Sequence, residues 1–132
     1  MDKEKAAAIA DEYHDKGFNC AQSVFAALSE LTGVDEQTAL RVGGGFGGGL
    51  RCGEVCGAVS GAVMAISCIH PYDTCGDTEA KEKIAALTGQ FTEAFKARFG
   101  CLRCADLKSD ARPCSVLIKG AAEIVIEMEQ EK

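Results

Sequence analysis

No stretch of this chain is apolar for long enough to span a bilayer. No segment alternates with the period of a half-buried strand or carries a hairpin turn signal. The first absence leaves no membrane partner to expect, and the second points to an all-α fold. Positive charge is also scarce. Fourteen Lys and Arg stand against 20 Asp and Glu, a net charge of −6 spread along the chain. That argues against a phosphate backbone as partner, so no nucleic acid is expected. The opening Met1-Asp2-Lys3-Glu4-Lys5 has no apolar core behind it of the kind a signal peptide carries, and a cytoplasmic location is expected. Histidine occurs twice. His14 reads as favourable charge near a helix C-terminus and His70 as a polar chain-end residue, so neither is expected to be a ligand. A Ser–His–Asp set and paired catalytic carboxylates are not indicated.

The 132 residues suffice for one domain, residues 1–132, that buries a core without staples. Eight of them are cysteine, a high count for a reducing compartment. There a cysteine framework is more often a metal or catalytic site than a set of disulfides. Buried free cysteine acting as a small hydrophobe is the plainer explanation for about half of such a set.

The glycines of residues 43–61 are the other excess. Six of the seven residues Gly43-Gly44-Gly45-Phe46-Gly47-Gly48-Gly49 are glycine, and Cys52 and Cys56 follow. Glycine loses the most backbone freedom on folding, so this run implies either a flexible connection or a backbone that must approach a site closely. Gly45 and Gly47, with Gly57 beyond, are the candidates for such an approach to a cofactor. Gly43-x-Gly45-x-x-Gly48 fits a dinucleotide-binding pattern, but the element before it reads as helix and no βαβ unit surrounds it.

In order, the chain reads as a compact bundle of five to six helices with a glycine-rich helix–helix loop. Asp2 caps a helix over 3–16, which Gly17 stops. Asn19, with Gln22 in a capping box, starts a helix from Cys20 to about Leu31, with Val24, Ala27, Leu28 and Leu31 buried and Gly33 at its end. Asp35 starts a short one carrying Ala39, Leu40 and Val42. A fourth helix runs from about Gly53 to Ile69 and is stopped by Pro71. Its small-residue face (Gly57, Ala58, Gly61, Ala62, Ala65) lets a neighbour come close, and its apolar remainder implies burial all round. A fifth helix, capped at Asp77 or Thr78, ends at Phe99 and Gly100. Cys101-Leu102-Arg103-Cys104 follows in a turn or short helix. Asp110-Ala111-Arg112-Pro113 breaks the chain before a last helix from Cys114 to about Glu129, with Pro113 suited to its first position.

Cys20, Cys56 and Cys114 thus fall in the first turns of three helices, and Cys104 closely follows the end of another. Helix N-termini carry partial positive charge and free N–H groups, which favour thiolate and a negatively charged metal–thiolate centre. Cys68 reads as core packing and Cys75 as a loop residue.

These positions lead to a family. The chain resembles the redox-active proteins named for their cysteine pattern, C_GCAxxG_C_C. The resemblance rests on Phe18-Asn19-Cys20-Ala21-Gln22, on Gly53-Glu54-Val55-Cys56-Gly57-Ala58-Val59-Ser60-Gly61-Ala62, on Phe99-Gly100 with Cys104 and Leu107, and on Cys114 with Ala121-Ala122-Glu123-Ile124. It implies that Cys20, Cys56, Cys104 and Cys114 are the family's four cysteines, and a similar region accompanies an iron–sulfur centre in split-Soret cytochromes. Cys52 and Cys101, outside the shared pattern, stand beside it.

Three functions remain, in this order. The first is electron transfer through an iron–sulfur cluster held by Cys20, Cys56, Cys104 and Cys114. The second is a metal-free thiol–disulfide protein or redox sensor, using Cys104 with Cys101 or a pair from Cys20, Cys56 and Cys114. The third is a structural zinc module of Cys52, Cys56, Cys101 and Cys104. A redox partner protein is expected, and a homodimer is an option.

Overall fold

The computed structural model describes residues 1–109 and 113–130. Every regular element among them is helical: α1 (Lys3–Asp15), α2 (Cys20–Ala27), α3 (Ser29–Thr32), α4 (Glu36–Gly43), α5 (Gly57–Ile69), α6 (Thr78–Phe99), α7 (Cys104–Ser109) and α8 (Cys114–Gln130), with a tight turn over Gly49–Gly53. Six of these helices are seven residues or longer, as the apolar periodicity implied. The expected break at Asp110-Ala111-Arg112 lies outside the described residues.

The starts are set locally. Asp2 accepts the Lys5 amide at 2.7 Å, Asp35 the Thr38 amide at 3.0 Å and Asp77 the Ala80 amide at 3.1 Å. Each satisfies a donor that the first turn leaves free. Gly33 and Gly100 end helices with positive φ, as their positions in sequence suggested. The helix that begins at Cys20 is shorter than its pattern implied. It breaks at Leu28, where the Ser29 hydroxyl donates to the Ala26 carbonyl at 2.7 Å and competes with the ladder.

α2 is the hub, packed on α1, α4, α5 and α8. Val24, Phe25, Leu28, Ile66, Phe91, Phe95, Leu107, Ile118 and Val125 fill the core around it. Phe91, Phe95 and Phe99 stack along α6, with ring centroids 6.0 and 4.8 Å apart. Burying each contributes roughly 1.5–3 kcal/mol.

Two expectations fail at α5. It starts at Gly57 rather than near Gly53, because Gly48, Gly49, Leu50 and Arg51 form a left-handed turn with φ between 59° and 64°. Gly53 adds a further positive φ of 79°, and Val55 then pairs with Arg103 just before Cys56. Nor is α5 buried all round: Val63 and Met64 are half-buried and Ser67 is exposed. That side opens onto a groove between α4, α5 and α6. Val42 stands 48% exposed on its rim, and Leu31, expected to be buried, is only half-buried.

Candidate functional site

All four family cysteines stand at helix beginnings. Cys20 is the first residue of α2, Cys104 of α7 and Cys114 of α8, and Cys56 is the N-cap of α5. That Cys104 opens a helix, rather than only following one, was not read from the sequence. Two arrangements draw them together. The first is a single antiparallel bridge between Val55 and Arg103. In it the Cys56 amide donates to the Leu102 carbonyl at 2.7 Å and the Cys104 amide to the Glu54 carbonyl at 2.6 Å. Side chains alternate across such a pair, so Val55 and Arg103 leave to solvent while Cys56 and Cys104 leave together to the buried side. The second is the small-residue face of α5. An added Cβ on Gly57 would sit 3.2 Å from the Cys20 Cβ and 3.1 Å from the Ala21 nitrogen, and one on Gly61 would sit 2.6 Å from the Ala21 carbonyl oxygen. Only glycine at these positions lets the start of α2 lie on α5.

The electrostatics follow from this crowding. Burial, then the charges of Cys114 and Cys56, a hydrogen bond with Cys114 and the charge of Cys104 push the Cys20 thiol up to about 12. Cys56, 2% exposed, is also raised, first by burial and further by Cys104 and Cys114. The Ala58 and Val59 amides face its sulfur and oppose the rise, although neither closes to a full capping hydrogen bond. Helix starts therefore do not yield thiolates at Cys20 and Cys56. Desolvation and three like neighbours outweigh the field of the helix end. In the absence of metal, both stay protonated at neutral pH.

This sets a pH dependence. A thiol whose folded pKa lies above its unfolded value binds more protons folded than unfolded once pH passes the unfolded value. Stability then falls as pH rises. For Cys20 the window runs from the ordinary 9.0 to about 12. The metal-free protein is expected to be pH-insensitive through this group below 9 and to lose up to about 1.4 kcal/mol per pH unit above it. Denaturant titrations between pH 8 and 11 measure this, and a Cys20→Ala variant should flatten the slope.

The other cysteines separate as follows. Cys75 is exposed in its loop, as expected. Cys68, expected in the core, is half-buried and lines the groove, and burial raises its pKa. Cys52 is exposed, its thiol directed at the Gly49 carbonyl at 3.5 Å, and Cys101 is half-buried. The register that pairs Val55 with Arg103 places Cys52 and Cys101 at opposite ends of the bridge. It does not gather Cys52, Cys56, Cys101 and Cys104 into one set.

The glycine run lies against the start of α2. Asn19 and Gln22 form the expected capping box, with both bonds at 2.9 Å. They also reach outward. Asn19 Nδ2 donates to the carbonyls of Gly43 and Gly44 at 3.3 and 3.2 Å, and Gln22 Nε2 to that of Leu40 at 3.0 Å. A Cβ on Gly47 would come within 2.5 Å of the Asn19 Cβ, whereas one on Gly45 would meet nothing. The two residues beside Cys20 thus cap its helix and clamp the end of α4. Asn19→Ala should cost about 2 kcal/mol, at the upper end for a lost cap because the clamp goes with it. Denaturant melting measures it, and Asn19→Asp should recover the cap but not the clamp.

Elsewhere, Asp11, His14 and Asp15 place their ligand atoms within 4.8 Å of one another on α1. They share one helix face, and Asp11 already pairs with Lys119 at 3.6 Å. His70 is no loose chain-end residue: its Nε2 meets Glu129 Oε2 at 2.8 Å, tying the end of α5 to that of α8, a partner only tertiary structure supplies.

Compared with known proteins, the chain matches the family model described as "Putative redox-active protein (C_GCAxxG_C_C)" over residues 18–128. No curated protein and no solved structure matches it. The matched span holds Cys20, Cys56, Cys104 and Cys114 and the bridge, glycines and caps that bring them together. The chain belongs to the C_GCAxxG_C_C family of redox-active proteins.

Proposed function

We propose that Cys20, Cys56, Cys104 and Cys114 hold an iron–sulfur cluster and that the protein transfers electrons. The observation that carries this is that four cysteines from four helix starts meet in one mostly buried place, where Cys56, Cys104 and Cys114 raise the Cys20 thiol and Cys104 and Cys114 raise that of Cys56. The donor set fits such a centre. It is all sulfur, and thiolates that repel one another when ionised are stabilised by bound cationic iron, which displaces their protons. When bound, the cluster supplies uptake and release of single electrons. The chain's own part is to hold four sulfurs in a largely dry pocket. The Ala58 and Val59 amides, directed at the Cys56 sulfur, favour its charged form.

The influence of Cys114 on Cys20, the largest after burial, favours a second reading. Without metal these two thiols would form one S–S bond and release two protons and two electrons to an oxidant of the thiol–disulfide class. The deciding experiment is the visible spectrum with iron and acid-labile sulfide content of protein purified without oxygen. Several irons and sulfides per chain with charge-transfer absorption are expected. A colourless, iron-free protein that yields a Cys20–Cys114 disulfide on oxidation overturns the cluster in favour of the dithiol.

A further inference from the structure

The groove beside α5 has a volume of about 790 Å³, within the range of small-molecule sites. Among the described residues no charged side chain and no histidine lines it. Val42, Leu50 and Val55 stand 48%, 52% and 42% exposed along it. Its wall is continuous with the cysteine site. Val55 immediately precedes Cys56, and the carbonyl of Leu102, another lining residue, accepts the Cys56 amide.

The groove's hydroxyls fall into two groups. Thr38, Ser67 and Thr92 donate to Asp35, to the Val63 carbonyl and to the Gly89 carbonyl, at 2.7, 2.8 and 3.0 Å. Among the described residues, Ser60 on α5 and Thr88 on α6 have no such bond from their hydroxyls. Ser60 lies one turn beyond Cys56, its amide on the Cys56 carbonyl. Two such hydroxyls on neighbouring helices, in a wall whose other hydroxyls are already engaged, suit a ligand that brings acceptors.

The wall also restricts the occupant. A carboxylate or phosphate would meet no countercharge and lose its hydration. A peptide would bring N–H donors as well as carbonyls, and no strand edge is present among the described residues to pair with it. A neutral ring bearing two carbonyl oxygens and an apolar tail meets both conditions. We infer that the groove binds a quinone-class ligand, with its carbonyl oxygens accepting from Ser60 and Thr88. The choice of a quinone among neutral carbonyl compounds rests on the redox reading above; the binding itself does not.

The test is equilibrium dialysis with decyl-ubiquinone, whose fully substituted ring cannot arylate the cysteines, and with decylbenzene, which has a ring and tail but no carbonyls. The expected result is saturable binding of one quinone per chain, tighter than that of decylbenzene. Ser60→Ala and Thr88→Ala should each weaken the quinone about threefold to tenfold, the value of one hydrogen bond, and leave decylbenzene unchanged. Val55→Lys, on an exposed position, should abolish both. The inference is overturned by absence of saturable binding, by equal affinity for the two compounds with Ser60→Ala and Thr88→Ala silent, or by self-association that Val55→Lys breaks, which would make a second copy the occupant. The same dialysis on Cys56→Ser keeps the two proposals apart. Loss of the centre with quinone binding retained leaves this one standing, and an intact centre in a wild type that binds no quinone defeats this one alone.

Discussion

Gly61→Ala should destabilise the protein by about 3 kcal/mol, at the high end for overpacking. The new methyl would lie 2.6 Å from the Ala21 carbonyl oxygen, 3.1 Å from its Cα and 3.2 Å from its carbonyl carbon. All three are backbone atoms of α2, so no side-chain rotation relieves the clash. α2 cannot slide away cheaply either, because Asn19 and Gln22 fasten its first turn to the end of α4. The remaining response is for α2 and α5 to part. Ala21 follows Cys20 in α2, and Gly61 lies one turn past Gly57, itself next to Cys56. Parting the helices therefore parts the two cysteines, and the proposed cluster should weaken together with the fold. Gly45→Ala and Gly89→Ala are the controls, since a Cβ at either meets nothing and neither has positive φ. Gly89, inside the exposed part of α6, should gain up to about 1 kcal/mol as alanine. Chemical denaturation of the three variants reads all of this. A Gly61→Ala protein within about 0.5 kcal/mol of wild type would mean that α2 and α5 do not approach this closely.

What was legible in the chain beforehand was what short segments decide. Asp2, Asn19, Asp35 and Asp77 cap within three residues of themselves, and Gly17, Gly33 and Gly100 stop helices by their own positive φ. The gathering of Cys20, Cys56, Cys104 and Cys114 was visible because each sits at such a local start or stop. The start of α5 was hidden. The residues after Gly53 suit a helix, but the bridge to Arg103, 48 positions on in the chain, holds Val55 extended. The groove was hidden because an apolar residue does not say whether anything covers it. Val42 and Val55 belong by type to a core and stand at an opening instead. The direction of the Cys20 and Cys56 pKa shifts was misjudged for the same reason. A helix N-terminus is a local feature, while desolvation and neighbouring thiols exist only once the chain has folded.

Replacing Cys56 by serine should remove the proposed cluster and leave the fold intact, a separation no other family cysteine offers as cleanly. Cys56 is the N-cap of α5. Serine is among the preferred residues there, and its hydroxyl can accept from the Ala58 or Val59 amides that now face sulfur without a full bond. The backbone at Cys56, φ −52° and ψ 134°, suits serine equally. Melting should stay within about 1 kcal/mol of metal-free wild type, or rise. Loss of iron, sulfide and visible absorbance in that variant then reports ligation, because a serine hydroxyl is a far weaker iron ligand than thiolate. Serine at Cys20, Cys104 or Cys114 should abolish or reshape the chromophore too. Serine at Cys75, exposed in its loop, should leave it intact, and serine at Cys68 should do so with at most a small change in stability. Cys52 and Cys101 should give intermediate effects, through the turn and the bridge ends they occupy rather than through a bond to iron. The measurement is iron, sulfide and absorbance per chain for all eight variants prepared without oxygen. A full centre in Cys56→Ser, or its loss in Cys75→Ser, would overturn the assignment of these four ligands.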